Sequence, residues 1–249
     1  MTHDLPRSTA RTTGLLYLSM ALVAVPGFLV IRPLLYDPDS ASATLANLVE
    51  NEGLARLGVG LELALVVAQT LTALWFARLF VRVDAAHAAA VGVFGVINAV
   101  CILASAATLA AALDIALGNG LAAGPSGAAA QLMYVLGGHL WGVGGVFFGL
   151  WLIPMGLLVL RAGMTRVLGW LLVAGGAGYL VSTATTYLAP GLASAGEILT
   201  HVASVGEFWM IGLLCWYGFR RSGAPSAVPP GGVSGPTADG SELESAPAR

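Results

Sequence analysis

The sequence predicts an all-α, polytopic transmembrane helical bundle of six spans with both termini in the cytoplasm, and three observations carry that expectation. Hydrophobic residues fill 57% of the 249 positions and charged residues only 10%, a balance outside that of soluble domains. The charges fall between six apolar runs, roughly 12–33, 55–80, 88–115, 132–160, 167–189 and 199–219, each near the ~20 residues that cross a hydrocarbon core of about 30 Å. The arginines in the short gaps are one-sided. Arg7, Arg11, Arg78, Arg82, Arg161, Arg166, Arg220 and Arg221 lie on one side of a six-span chain and only Arg32 and Arg56 on the other. The positive-inside rule puts the first group in the cytoplasm.

Three regions follow: a short cytoplasmic segment over residues 1–11, a transmembrane domain over 12–219, and a tail over 220–249. The tail is rich in Pro, Gly and Ser, cannot bury enough apolar area to order itself, and is expected to be disordered. The first apolar run is longer than the core of a signal peptide and lacks a small-x-small cleavage site, so it is read as a span. A net charge of −2 excludes nucleic acid as a partner. Every basic residue but histidine is arginine, which points to GC-rich bacterial coding and hence to a bacterial inner membrane. Cys101 and Cys215 both lie in apolar runs, so neither a disulfide nor a thiolate metal site is suggested.

Along the chain, the loop from Arg32 to Arg56 is the longest polar connection and predicts a short helix. Ser40 or Ser42 caps it, Leu45 and Leu48 give it an apolar face lying on the membrane, and Gly53 ends it. The second span carries Glu62 and Gln69 on one face with Gly58. The third aligns Asn98, Cys101, Ser105, Thr108 and Ala112 on a small, polar face. The uncharged stretch GNGLAAGPSGAAA reads as a flexible connector. In the fourth span, at 100° per residue, Gly138, Gly142, Gly145, Gly149 and Gly156 fall on one narrow strip. Small residues at this spacing let a second helix approach closely in lipid. Pro154 is expected to kink that span, and the turn RAGMTR is too short for anything but an antiparallel helical hairpin.

These residues resemble a known family. ARTTGLLYL, the loop from Asn47 to Arg56-Leu57-Gly58, the block FFGLWLIPMGLLVLRAGMTRVLGWLLVAGGAGYLV and GEFWMIGLLCWYG together resemble the bacterial membrane proteins of the domain of unknown function 4386 family, over about residues 10–219. Thr44-x-x-Asn47 and Gly206-Glu207 also look like family positions. Where the family suggests an acidic residue four positions before the threonine, this chain has Ser40, with Asp39 beside it. The resemblance implies an integral membrane fold and no established activity.

Ionisable residues within spans are costly and are functional candidates by default. Glu62, His139 and Glu207 lie at similar depths on the three spans that enter from outside, with Arg56 near them in sequence. They predict an outward-facing polar pocket that binds or moves a small molecule or ion, or else a set of structural pairs, Glu62 with Arg56 and Glu207 with His139 or a tyrosine. A second reading is a non-catalytic structural or regulatory partner, docking a second copy or another membrane protein through Gly138, Gly142, Gly145 and Gly149. A third is an intramembrane enzyme acting on lipid with His139 and a glutamate as acid and base, although no nucleophile is recognisable. No HExxH, GxSxG, Walker or dinucleotide motif occurs, so no catalytic residue, cofactor or metal site is assigned.

Overall fold

Proline shapes the first helix. α1 (Arg7–Val25) passes at Pro26 into a π-helical stretch, Pro26–Ile31, and then into the one-turn helix α2 (Arg32–Leu35). Proline cannot supply the N–H that the preceding turn would accept, and the helix widens where that bond is lost. The computed structural model describes residues 5–119 and 125–220, without the side chains of 193, 195–197, 199 and 202. The expected flexible connector lies partly, and the expected disordered tail almost wholly, outside those residues.

α3 (Ala41–Glu50) is the short helix of the long loop. Ser40 is its cap, accepting the Ala43 N–H at 3.1 Å. Its apolar face does not lie on the membrane as expected: Thr44 and Leu48 are fully buried, Leu48 in a small core with Leu35, Ala112, Leu113 and Ala130. The Thr44 hydroxyl donates to the Asp37 carbonyl and accepts the Asp37 N–H, and the Gln131 amide donates to the carbonyls of Asp37 and Pro38. Those bonds turn the helix inward, because they leave the loop backbone satisfied. Nor does Gly53 end it. Asn51 closes α3, and Gly53 sits in the first turn of α4 (Glu52–Phe80).

The remaining helices are α5 (Ala85–Ala116), α6 (Gly127–Arg161), α7 (Arg166–Leu188) and α8 (Ala193–Phe219). α6 begins within the expected connector, capped by Ser126, and continues as one helix through Pro154. Between α6 and α7, Gly163 takes φ +71°, and the Met164 N–H reaches back to the Val159 carbonyl. This glycine-dependent closure reverses the chain within a few residues. Asp84 caps α5 by accepting the His87 N–H, contacts the His87 ring and pairs with Arg161 from the far end of α6. The hydrogen bonds to His87 first, and then the charges of His87 and Arg161, hold the Asp84 carboxyl below its usual range.

Neighbouring long helices pack against one another in the order α1, α4, α5, α6, α7, α8, and α8 packs back on α1. The result is a closed ring. One end carries Arg7, Arg11, Arg78, Arg82, Arg161 and Arg166; the other carries α3. Near the arginine end the interior is filled by Phe76, Phe80, Trp151, Leu158, Leu168 and Met210. The exterior is apolar, with Leu22 64%, Val67 59% and Trp170 60% exposed. A continuous surface of that kind belongs in hydrocarbon and not in water. Among the described residues there is no strand, and five helical segments are long and apolar enough to cross a membrane.

Candidate functional site

The ring's interior is set by how closely its helices approach. Along α6 the glycine strip faces α7, reciprocated there by glycines: a Cβ at Gly156 would lie 2.5 Å from the Gly169 carbonyl oxygen, and one at Gly149 2.6 Å from that of Gly176. Farther toward the α3 end the spacing opens. Gly142 and Gly145 meet only the side-chain tips of Tyr187 and Thr183, and around a Cβ on Gly138 nothing lies within 4 Å. The strip is thus a wedge, tight at the arginine end and open at the other.

The space that the wedge opens is a cavity of about 560 Å³ lined by residues of α1, α4, α5, α6, α7 and α8. Its floor is aromatic. Tyr17, Phe148 and Tyr179 line it, and behind them Phe76 and Trp151 meet Tyr17 edge-to-face at centroid distances of 5.4–6.0 Å, with Phe148 packed on Trp151 and Tyr179. Edge-to-face contacts of this kind fix ring orientation. Above the floor the Tyr17 hydroxyl donates to Glu207 Oε1 at 2.6 Å. Among the described residues, Glu207 is the one carboxylate of the cavity lining, and no arginine or histidine lines it. The walls are mainly apolar, including Met20, Leu65, Ile102 and Ile211, with Gln69 and Asn98 as scattered polar groups. Asn98 is already committed, its amide donating to the Gly144 carbonyl at 3.0 Å.

The expected grouping of Glu62, His139, Glu207 and Arg56 is divided among separate places. His139 sits by the cavity wall, its Nδ1 3.2 Å from the Tyr187 hydroxyl, and Tyr187 lines the cavity. Glu62 lies outside this cavity, beside a space of about 10 Å³ bounded also by Arg32 and Tyr134. Arg32 donates through Nε and Nη2 to Glu62 Oε1 and through Nη2 to the Ser105 hydroxyl. Both partners are enclosed, with side-chain exposures of 15% for Arg32 and 7% for Glu62. Glu62 Oε2 is buried without a hydrogen-bond partner among the described residues.

Arg56 pairs instead with Glu52, one turn before it, on an exposed face. The reason is geometric. Six residues separate Arg56 from Glu62, about 240° around the helix, so they point to different sides. Glu52 at four residues is on the right side. Among the described residues no three His, Cys, Asp or Glu side chains gather to hold a metal ion.

Arg32 is the site residue that sequence reasoning missed. By its place between two apolar runs it reads as a loop charge, yet it is flanked by apolar residues on both sides, in LVIRPLLY, and the rule that singles out the glutamates makes an arginine so placed a candidate too. The widened turn before it carries it onto α4. Its guanidinium also lies over Phe28 at 5.1 Å and over Trp141 at 5.7 Å, two rings that line the large cavity. Such cation–π contacts gain strength where water is excluded. Arg32 therefore stands behind the cavity wall, between it and Glu62.

The family model described as Domain of unknown function (DUF4386) matches residues 12–218. The chain belongs to this family. Neither the curated proteins nor the solved structures offer a match. In this DUF4386 protein the matched span runs from the start of α1 to the end of α8, so the whole ring, its cavity and the Arg32–Glu62 pair fall within the family domain.

Proposed function

We propose that this DUF4386 protein crosses a bacterial inner membrane six times, with its arginine end in the cytoplasm, and binds or moves a small lipophilic molecule that carries an amine or other hydrogen-bond-donating head. The single observation that carries the reading is Glu207 at the floor of an apolar cavity, held by Tyr17 and faced by no basic residue. Ligand sites are typically concave and mostly apolar, with few polar groups that fix orientation, and of a few hundred to a thousand cubic ångströms. A buried carboxylate without a counter-charge is costly, and a donor head seated on its second oxygen offsets that cost. α8, at 27 residues, is long enough to be the sixth span.

Two measurements test this. Dodecylamine should bind the purified protein, and Glu207→Gln should weaken it roughly ten- to hundredfold, the worth of one charge-assisted hydrogen bond. Equal affinity in both proteins would remove Glu207 as the anchor and with it the reading. For topology, a periplasmic reporter enzyme should be active when inserted after Gly118 and inactive when fused after Arg221. The reverse pattern would invert the orientation. The partner-docking alternative is less well supported, since the strip from Gly142 to Gly156 is already taken up by α7.

A further inference from the structure

α1 packs on both α4 and α8, and the π-helical stretch that continues it packs on α4. Near the arginine end it packs on α8: Gly14 would place a Cβ 2.9 Å from the Cys215 nitrogen, Gly218 would place one 2.5 Å from the Arg11 Cα, and the Tyr217 hydroxyl donates to the Leu5 carbonyl. The Tyr17–Glu207 bond is the last of these approaches toward the α3 end. α4, which α1 also meets nearer the arginine end through Tyr17 and Phe76, stays in contact beyond it, with Gly27 against Leu61, Ile31 against Gly58 and Arg32 on Glu62. The π-helical turn from Pro26 to Ile31 lies within this stretch. A helix that keeps one of two neighbours and not the other opens a gap on the second side.

The residues along that parting line the cavity and are also exposed at the ring's surface. On α1 these are Val25 at 44% and Leu29 at 67%; on α8 they are Ser204 and, at 59%, Phe208. Between α6 and α7, by contrast, side chains bridge the opening wedge, the Thr183 hydroxyl donating to the Gly142 carbonyl and the Tyr187 hydroxyl to that of His139. The rim is apolar on both sides and lies within helices long enough to be embedded in lipid, so its surroundings are acyl chains.

From this geometry we infer that the gap between the α3-side halves of α1 and α8 is a lateral portal, through which a single-chain amphiphile with a donor head passes between the bilayer and the Glu207 cavity. The inference rests on the binding reading given above and adds the source of the ligand and its route. The occupant is a molecule of the surrounding leaflet, the outer one in the proposed orientation. Its head passes the apolar rim to reach Glu207 and Tyr17. Its chain then lies against Met20, Leu65 and Ile211 and trails through the gap. Partition into the bilayer concentrates such a molecule at the rim, whereas the aqueous phase holds little of it.

The test uses a full-length protein in which Trp75, Trp170, Trp209 and Trp216 are replaced by phenylalanine, leaving Trp141 on the cavity wall and the fully buried Trp151 behind Tyr17 and Phe148. Oleylamine brominated across its double bond, doped into phosphatidylcholine vesicles holding the protein, should quench this fluorescence. Phosphatidylcholine with brominated chains, at equal bromine content, should quench it far less. The variants Val25→Phe and Ser204→Phe narrow the rim and should slow the approach to the plateau of quenching several-fold, with thermal unfolding of each variant showing that it folds. Glu207→Gln should reduce the final extent without altering entry. Rates indifferent to both rim variants would overturn the portal and leave the cavity reading standing. Equal quenching by brominated phosphatidylcholine would also overturn it, since the bromine would then act from outside the ring. Absence of any quenching by the brominated amine, together with absence of dodecylamine binding in detergent, would remove the cavity reading itself.

Discussion

Replacing Arg32 by methionine is expected to lower the unfolding free energy by about 3–5 kcal/mol, whereas Arg32→Met combined with Glu62→Leu regains most of that loss. The effect comes from what is left behind. Arg32 places two donors on Glu62 Oε1, and Oε2 has no partner among the described residues, so without the guanidinium the enclosed carboxylate loses its counter-charge and both of those donors. Stranding a buried charge costs far more than the ~0.6 kcal/mol typical of neutral interhelical contacts in bilayers. Removing both charges avoids that cost. Equilibrium unfolding of the single and double variants in a mixed-micelle titration measures it, and a double variant no more stable than the single one would show that the ion pair is not the unit that matters.

The second large effect concerns α6. Leucine at Gly156 or Gly149 should destabilise the fold by about 3 kcal/mol or more, because the added carbons meet backbone carbonyls of α7 that cannot rotate aside. Leucine at Gly138 should be tolerated, since a Cβ there meets nothing within 4 Å. Gly142→Leu and Gly145→Leu fall between, since they press on the movable ends of Tyr187 and Thr183. Thermal unfolding of the five variants should therefore rank them by position along the helix. A flat series would mean that the strip's glycines do not set the helix spacing.

Much of this architecture was legible because membrane helices announce themselves by length and composition. Five of the six apolar runs recur as long apolar helices, and the sixth as α8, with ends differing by several residues. The glycine strip was legible as well, since a helical period is a local property of sequence. What was not legible is which helix each strip meets. Glu62 and Glu207 are both carboxylates in helices that run the same way, yet one meets an arginine 30 residues earlier in the chain and the other a tyrosine 190 residues earlier. That choice depends on the order of helices around the ring, which hydropathy does not encode. The placement of Arg32 depends further on one widened turn after Pro26. Gly53 misled for a related reason: glycine is a helix terminator by propensity, but here the break came at Asn51, where the chain redirects between two helices.

The meeting of α1 with α8 also bears on how the molecule is made. Synthesis runs from the N-terminus, so the surface of α1 that carries Gly14 and Tyr17 is complete long before the segment that covers it, and five helices can insert while the ring is still an open arc. Through that interval the Tyr17 hydroxyl has no carboxylate to meet. Closure brings together residues about as far apart as the chain permits, a step whose entropic cost rises only slowly with the length of the intervening chain, and much of that cost has been met once the helices between them are threaded. The last of the ring's helices to emerge is thus both its keystone and the carrier of the cavity's carboxylate, so a chain that has not reached α8 cannot present the cavity at all.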